Sequence, residues 1–269
     1  MPTPLSPSAA PTDPAVARVR TEGDRRWLEF TPGLIQSEMR LSQPDRLVLR
    51  YARAMMGFVL FQPRPRHIVM VGLGGGSLLK FCHRHLPGCR ITVLESRADV
   101  IALREQFLIP PDDARLRVVR ADAVAFLAAA APDEADVILL DGFDAAGAPP
   151  ALGSALFYDD CRRVLRPGGV LVTNMLCYDA RYRAMLARLG RAYGGRLCQL
   201  DGVAGNNRIV FALKPARADG DGRATPGRPG PGRAELMRRL IVWRRPLGLH
   251  WLNRLLIDWM ICRLAHRRA

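Results

Sequence analysis

A chain of 269 residues, 49% hydrophobic and 24% charged, is long and apolar enough to bury a sizeable core, which excludes wholesale disorder. Its formal charge is +15, but 12 arginines against 4 acids in residues 215–269 put +8 of it in the C-terminal tail and leave +7 on the first 214 residues. That distribution argues against a nucleic-acid-binding main domain, and no apolar run reaches the ~18 residues needed to cross a bilayer.

Residues 1–20, "MPTPLSPSAAPTDPAVARVR", have neither the apolar core nor the early basic cluster of a secretory signal, and their Pro, Ser and Thr content predicts a disordered lead-in. Residues 21–62 read as an N-terminal hairpin and helix. "RRWLEF" and "GLIQSEMRL" turn at Pro32–Gly33, and "PDRLVLRYARAMMGFVLF" follows as an amphipathic helix.

From 63 to 214 strand-like and helix-like segments alternate, which predicts parallel βαβ units. The strands are "HIVMVG" (67–72), "CRITVLE" (89–95), "ARLRVVRAD" (114–122), "ADVILLD" (135–141) and "GVLVTNM" (169–175). Helices are expected over 77–86, through about Phe107, over "AVAFLAAAA", over 154–165 up to the stop "RPGG", and over 180–193. "RLCQLDG" and "NNRIVFAL" close the domain as an antiparallel pair. The fourth strand is apolar up to its acid, as burial on both faces requires.

Residues 215–233 have the composition of a flexible linker, and 234–269 that of a basic amphipathic helical tail. Its Trp251, Leu252, Leu255, Leu256, Trp259 and Met260 share one face. Such a face docks on the domain or a second subunit, or lies against a membrane surface as a peripheral contact. The six cysteines form no CxxC pair and read as small buried hydrophobes of a reducing, cytoplasmic protein. His83 and His85 lack a third ligand, so no metal is expected, and Ser77 and Ser154 lack a nucleophile elbow.

The chemistry gathers at strand ends. "VGLGGGSLLK" leaves a strand and opens a helix, and Gly72, Gly74 and Gly76 let backbone approach a ligand or simply make a tight turn. Ser77 stands where a full dinucleotide fingerprint needs glycine. Glu95 ends the second strand, where a carboxylate can accept from a ribose diol; Asp122 ends the third, placed for an adenine edge; Asp141 ends the fourth. An acid at such a position also serves as a turn residue. Three successive acids beside a glycine turn point instead to an adenosine-bearing ligand. NAD sites share the first two features, whereas the closing antiparallel pair and "LRPGG" favour an S-adenosylmethionine (AdoMet) type domain. The expected fold is therefore α/β, a doubly wound, seven-stranded Rossmann-like sheet of the AdoMet-dependent methyltransferase kind, with an N-terminal hairpin and a C-terminal helical tail.

From about Arg26 to Leu213 the chain resembles the spermidine synthase family (polyamine aminopropyltransferases), a branch of the class I AdoMet-methyltransferase fold. "GLIQSEMRL", "VGLGGGSLLK", "VLES" and "ADAVAFL" take the places of its "VIQ" element, glycine loop, "VEID" segment and "GDGxxFL" stretch. "VILLDGFDAAGAP" and "ALFYDDCRRVLRPGGVLVTNM" carry the most specific match. The resemblance implies that Glu95 binds the ribose hydroxyls, Asp122 the adenine amino group, Asp141 acts as catalytic carboxylate, Asp144 anchors the substrate amine, and Gln36 touches the nucleoside. It implies transfer from decarboxylated AdoMet to a small-molecule amine by a homodimer.

Departures from the family pattern fall on the amine side. Gly75 stands where the loop carries an acid, Lys80–Phe81 replace Arg-Glu, Leu49–Arg50–Tyr51 replace the helix's Tyr-Gln-Glu, and Ala145 replaces Pro. Three readings follow: an aminopropyltransferase with an altered diamine site, a methyltransferase using intact AdoMet on an unknown acceptor, or a non-catalytic nucleoside-binding relative.

Overall fold

The computed structural model describes residues 16–142, 147 and 149–216, so Asp144, the linker beyond residue 216, the amphipathic tail and the first 15 residues lie outside the described residues. The N-terminal unit is a three-stranded antiparallel sheet of β1 (Arg18–Glu22), β2 (Arg25–Glu29) and β3 (Ile35–Arg40). β1 adds a strand to the expected hairpin and begins inside the segment expected to be disordered. "RVRTE" pairs along its length with β2 across a turn in which Gly23 adopts φ 54°.

α1 (Arg50–Met55) passes into a 3₁₀ turn, Met56–Leu60, and is shorter than the amphipathic pattern predicts. Arg53 donates to the carbonyls of Leu47 and Val48 at 2.8 and 2.7 Å, satisfying backbone that a longer helix would have used. At Gly57 the chain lies on the Phe211 ring, where a Cβ would come within 2.9 Å of Cζ.

The main sheet has the order β6-β5-β4-β7-β8-β10-β9, with β10 antiparallel to both its neighbours. Its members are β4 (His67–Val71), β5 (Arg90–Glu95), β6 (Leu116–Arg120), β7 (Ala135–Leu140), β8 (Leu165–Leu176), β9 (Leu197–Ala204) and β10 (Asn207–Leu213). The helices are α2 (Ser77–His85), α3 (Ala98–Ile101), α4 (Ala123–Ala129), α5 (Ala155–Val164) and α6 (Tyr182–Ala192). The α/β, doubly wound, seven-stranded architecture is thus as the sequence predicts. "RPGG", expected only to stop a helix, lies inside β8 at a register shift against β7, with Gly168 at φ 80°. The helix expected through Phe107 ends at Ile101 and gives way to turns, Leu108 adopting φ 51°.

Alternation along β7 builds the core on both faces. Val137 and Leu139 join Met70, Val93 and Phe211 beneath α1 and α2, while Ile138 and Leu140 join Leu171, Tyr158 and Leu189 beneath α5 and α6. At the opposite end of the strands, buried Asp136 ties the segments together: it accepts from the Arg66 and His67 backbone at 2.7 and 3.0 Å and from Arg166 at 2.9 Å. This clamp leaves the carboxyl ends of β4, β5, β7 and β8 as the working edge.

Candidate active site

The strand order reverses between β4 and β7, and there a cavity of about 890 Å³ opens over the carboxyl ends. Gly72 and Gly74, Glu95, Asp141 and, from the N-terminal hairpin, Gln36 all line it. Gly76 and Asp122 do not. Gly76, at φ 66°, opens α2 against Ile109. Asp122 is exposed and caps α4, accepting from the Ala125 N–H at 2.9 Å.

Glu95 is 8% exposed, and each carboxylate oxygen receives a backbone N–H at 2.9 Å, Oε2 from Leu73 and Oε1 from Arg97. The loop after β4 is thereby tied to the end of β5, and Glu95 lines the cavity with acceptor capacity to spare. Arg97 lies over the Phe30 ring, 4.4 Å from its centroid, and pairs with Asp99, which it holds down to about 2.

Asp141 sits at the end of β7, open to the cavity but otherwise enclosed by protein. Burial pushes its carboxyl up to about 6, against the opposing pull of hydrogen bonds from Asn174 and Tyr51. The Asn174 Nδ2 donates to Oδ1 at 2.9 Å. The Tyr51 hydroxyl is shared between Asp141 and the Gln36 carbonyl, the latter at 3.3 Å. Burial, followed by the neighbouring Asp141 charge, holds the Tyr51 phenol well above its ordinary range. A carboxylate ionised near neutrality and flanked by neutral donors can orient an amine and take its proton.

Sequence reasoning missed Asn174 and Arg97 as cavity residues, and met Tyr51 only as a departure in a helix. An asparagine inside an apolar strand such as "GVLVTNM" is itself a signal, because Asn is a poor strand former. At Gly75 a Cβ would stand 2.8 Å from both the Phe107 ring and Ser37 Oγ, so neighbours fill the place where an acid's side chain would begin. Among the described residues no three His, Cys, Asp or Glu gather as metal ligands, and no helix is long and apolar enough to cross a membrane.

A family model described as the spermine/spermidine synthase domain matches residues 48–185. The polyamine aminopropyltransferase of Chromobacterium violaceum is 37% identical over 197 residues, 73% of this chain and 75% of that protein. A probable spermidine synthase from Corynebacterium glutamicum superposes with a TM-score of 0.66 at 20% identity, covering 89% of this chain and 88% of its own. Human methyltransferase-like protein 13, solved in complex with SAH, superposes with a TM-score of 0.56 at 25% identity, covering 75% of this chain and 93% of its own.

Proposed function

The chain belongs to the spermine/spermidine synthase family, and from that premise we propose that its cavity holds decarboxylated AdoMet while Asp141 directs a small-molecule amine onto it. One observation carries this reading: Asp141, raised to about 6, opens into the same cavity as the glycine loop that Glu95 anchors. The amine nitrogen attacks the carbon beside the sulfonium, the new C–N bond forms as the C–S bond breaks, and methylthioadenosine departs. Asp141 meets the positive charge growing on nitrogen and accepts the proton. Glu95 is assigned to the ribose hydroxyls, with Gly72 and Gly74 giving the backbone approach. Asp122, as a cap outside the cavity lining, contributes at most from its uncapped oxygen.

The acceptor side is altered. Leu49, Tyr51 and Leu176 present no charge there, and Asp179 is already engaged by Arg181 at 2.7 Å. An acceptor offering a single cationic amine therefore suits the described residues better than one with several. The same reading takes the working form to be a cytoplasmic homodimer. The cytoplasmic assignment is supported by Cys82, Cys89 and Cys161, which are buried as thiols rather than disulfide-bonded.

Methyl transfer from intact AdoMet is the second reading, favoured by one feature. Gly75 puts no carboxylate in the loop to repel that of AdoMet, and Phe107 and Ser37 close the space around it. Calorimetry of the full chain with the two nucleosides decides. Tighter binding of the decarboxylated form supports aminopropyl transfer, whereas a tenfold preference (~1.4 kcal/mol) for intact AdoMet rejects it. Binding of neither ends both readings.

A further inference from the structure

Asn174 is 5% exposed, beside Thr173 in a strand segment, residues 170–175, that is otherwise apolar, and both ends of its amide are engaged. Nδ2 donates to Asp141, and Oδ1 accepts from Asn207 Nδ2 at 2.8 Å. Asn207 is the first residue of β10. Because β10 runs antiparallel to β8, its first residue returns to the carboxyl ends of the parallel strands, pairing opposite Leu176 and lining the cavity. A sequence reading would assign "GNN" to turn chemistry alone.

A primary amide can present either end to a neighbour, and the two ends act on a carboxylate in opposite ways. The NH₂ stabilises the charge; the carbonyl repels it. With Asn207 turning its own NH₂ toward β8, its donated N–H finds an acceptor only if Asn174 turns its oxygen toward β10 and its NH₂ toward β7, the direction the acceptor-only Asp141 carboxylate also favours. Among the described residues, the groups that engage the Asp141 carboxyl are this amide from β8 and the Tyr51 hydroxyl from α1, neither of them charged. Burial raises the carboxyl, and orientation of the amide decides whether the Asn174 hydrogen bond offsets that rise.

We propose that Asn207 is a positioning residue of the active site: its donation to Asn174 Oδ1 locks the Asn174 amide with NH₂ toward Asp141 and so keeps that carboxylate ionised and aimed into the cavity. The proposal rests on the catalytic role assigned to Asp141, but its first readout does not. Carboxyl carbon NMR of the full chain, labelled at aspartate and assigned through Asp141→Asn, follows the Asp141 titration directly. Asn207→Leu keeps the shape and removes the donor, while Asn207→Gln keeps an amide. The leucine variant is expected to raise the proton affinity of Asp141 about tenfold, and the glutamine variant to recover more than half of that. In turnover the leucine variant is expected to lose about twofold in kcat at pH 7 and nearly tenfold at about pH 5, with the nucleoside KM unchanged. If leucine does not fold, Asn207→Ala takes its place. A folded donor-less variant with an unmoved Asp141 titration overturns the proposal, as does a glutamine variant that behaves like leucine. Absent turnover in the unaltered chain would instead count against the reaction, leaving the titration to judge the positioning.

Discussion

The carbonyl oxygen of Asp141 lies 2.5 Å from the point where a Cβ on Gly72 would stand. Since the Asp141 N–H also donates to the Val71 carbonyl at 2.9 Å, the glycine loop and the residue that bears the proposed catalytic carboxylate are held together by backbone. Gly72 adopts φ 95°, so a side chain there meets both an unfavourable conformation and a backbone it cannot displace. Gly72→Ala is expected to lose more than about 3 kcal/mol, read as a fall in the urea midpoint. A variant of unchanged stability would mean that β4 and β7 can separate.

Asp141→Asn should separate stability from activity. A carboxyl held near 6 in the fold and near 4 when unfolded binds its proton more tightly in the native state. The stability this provides is complete below about pH 4 and is lost as pH rises through about 6. The asparagine variant is therefore expected to be more stable than the parent at pH 8, by on the order of 1–2 kcal/mol, with the gap closing toward pH 5. Nucleoside binding should persist while turnover falls by at least a thousandfold. An active variant removes Asp141 from the mechanism. The parent's kcat/KM should show an acid limb near pH 6, where Asp141 gains its proton.

Glu95→Gln replaces one accepting oxygen by a donor that faces a backbone N–H, from either Leu73 or Arg97. Nucleoside affinity is expected to drop at least tenfold by calorimetry, with the loss of one charged hydrogen bond costing about 1–3 kcal/mol of stability. Undiminished affinity would take Glu95 out of the site.

Lys80 is 4% exposed, and its ammonium donates to the Phe107 carbonyl at 2.6 Å and to Met39 Sδ at 3.1 Å. Burial drags it down to about 8, and the Asp45 charge offsets this only in part. A depressed lysine makes its full contribution to stability above about pH 10 and loses it as pH falls through about 8. Lys80→Met is expected to stabilise the protein at pH 7 by on the order of 2 kcal/mol and to show no advantage above pH 10, measured by denaturant midpoints. A midpoint lowered at pH 7 would show that the Phe107 hydrogen bond outweighs the cost of burying the charge.

Local pattern was enough for the strands of the seven-stranded sheet, because an apolar run such as "ADVILL" can be stable only with both faces covered, and for the glycine turn followed by acids at strand ends, but not for the exposed β1. It was enough, too, for the placing of Glu95 and Asp141 at one edge, since parallel strands joined by helices all end on the same side. Other features depended on packing. α1 stops where Gly57 meets Phe211, a residue far along the chain, and no periodicity within the helix reports that contact. Asp122 has the same strand-end signature as Glu95, yet its carboxylate turns to the Ala125 N–H, because an orphan helix donor one turn away competes with the cavity for it. The partners of Asp141 come from α1, β8 and, through Asn174, from β10; only the antiparallel return of the last strand brings Asn207 to the carboxyl ends of the parallel strands. A sequence can show which acids are available. Which of them is desolvated, and which neighbour holds it, depends on the elements that close around it in three dimensions.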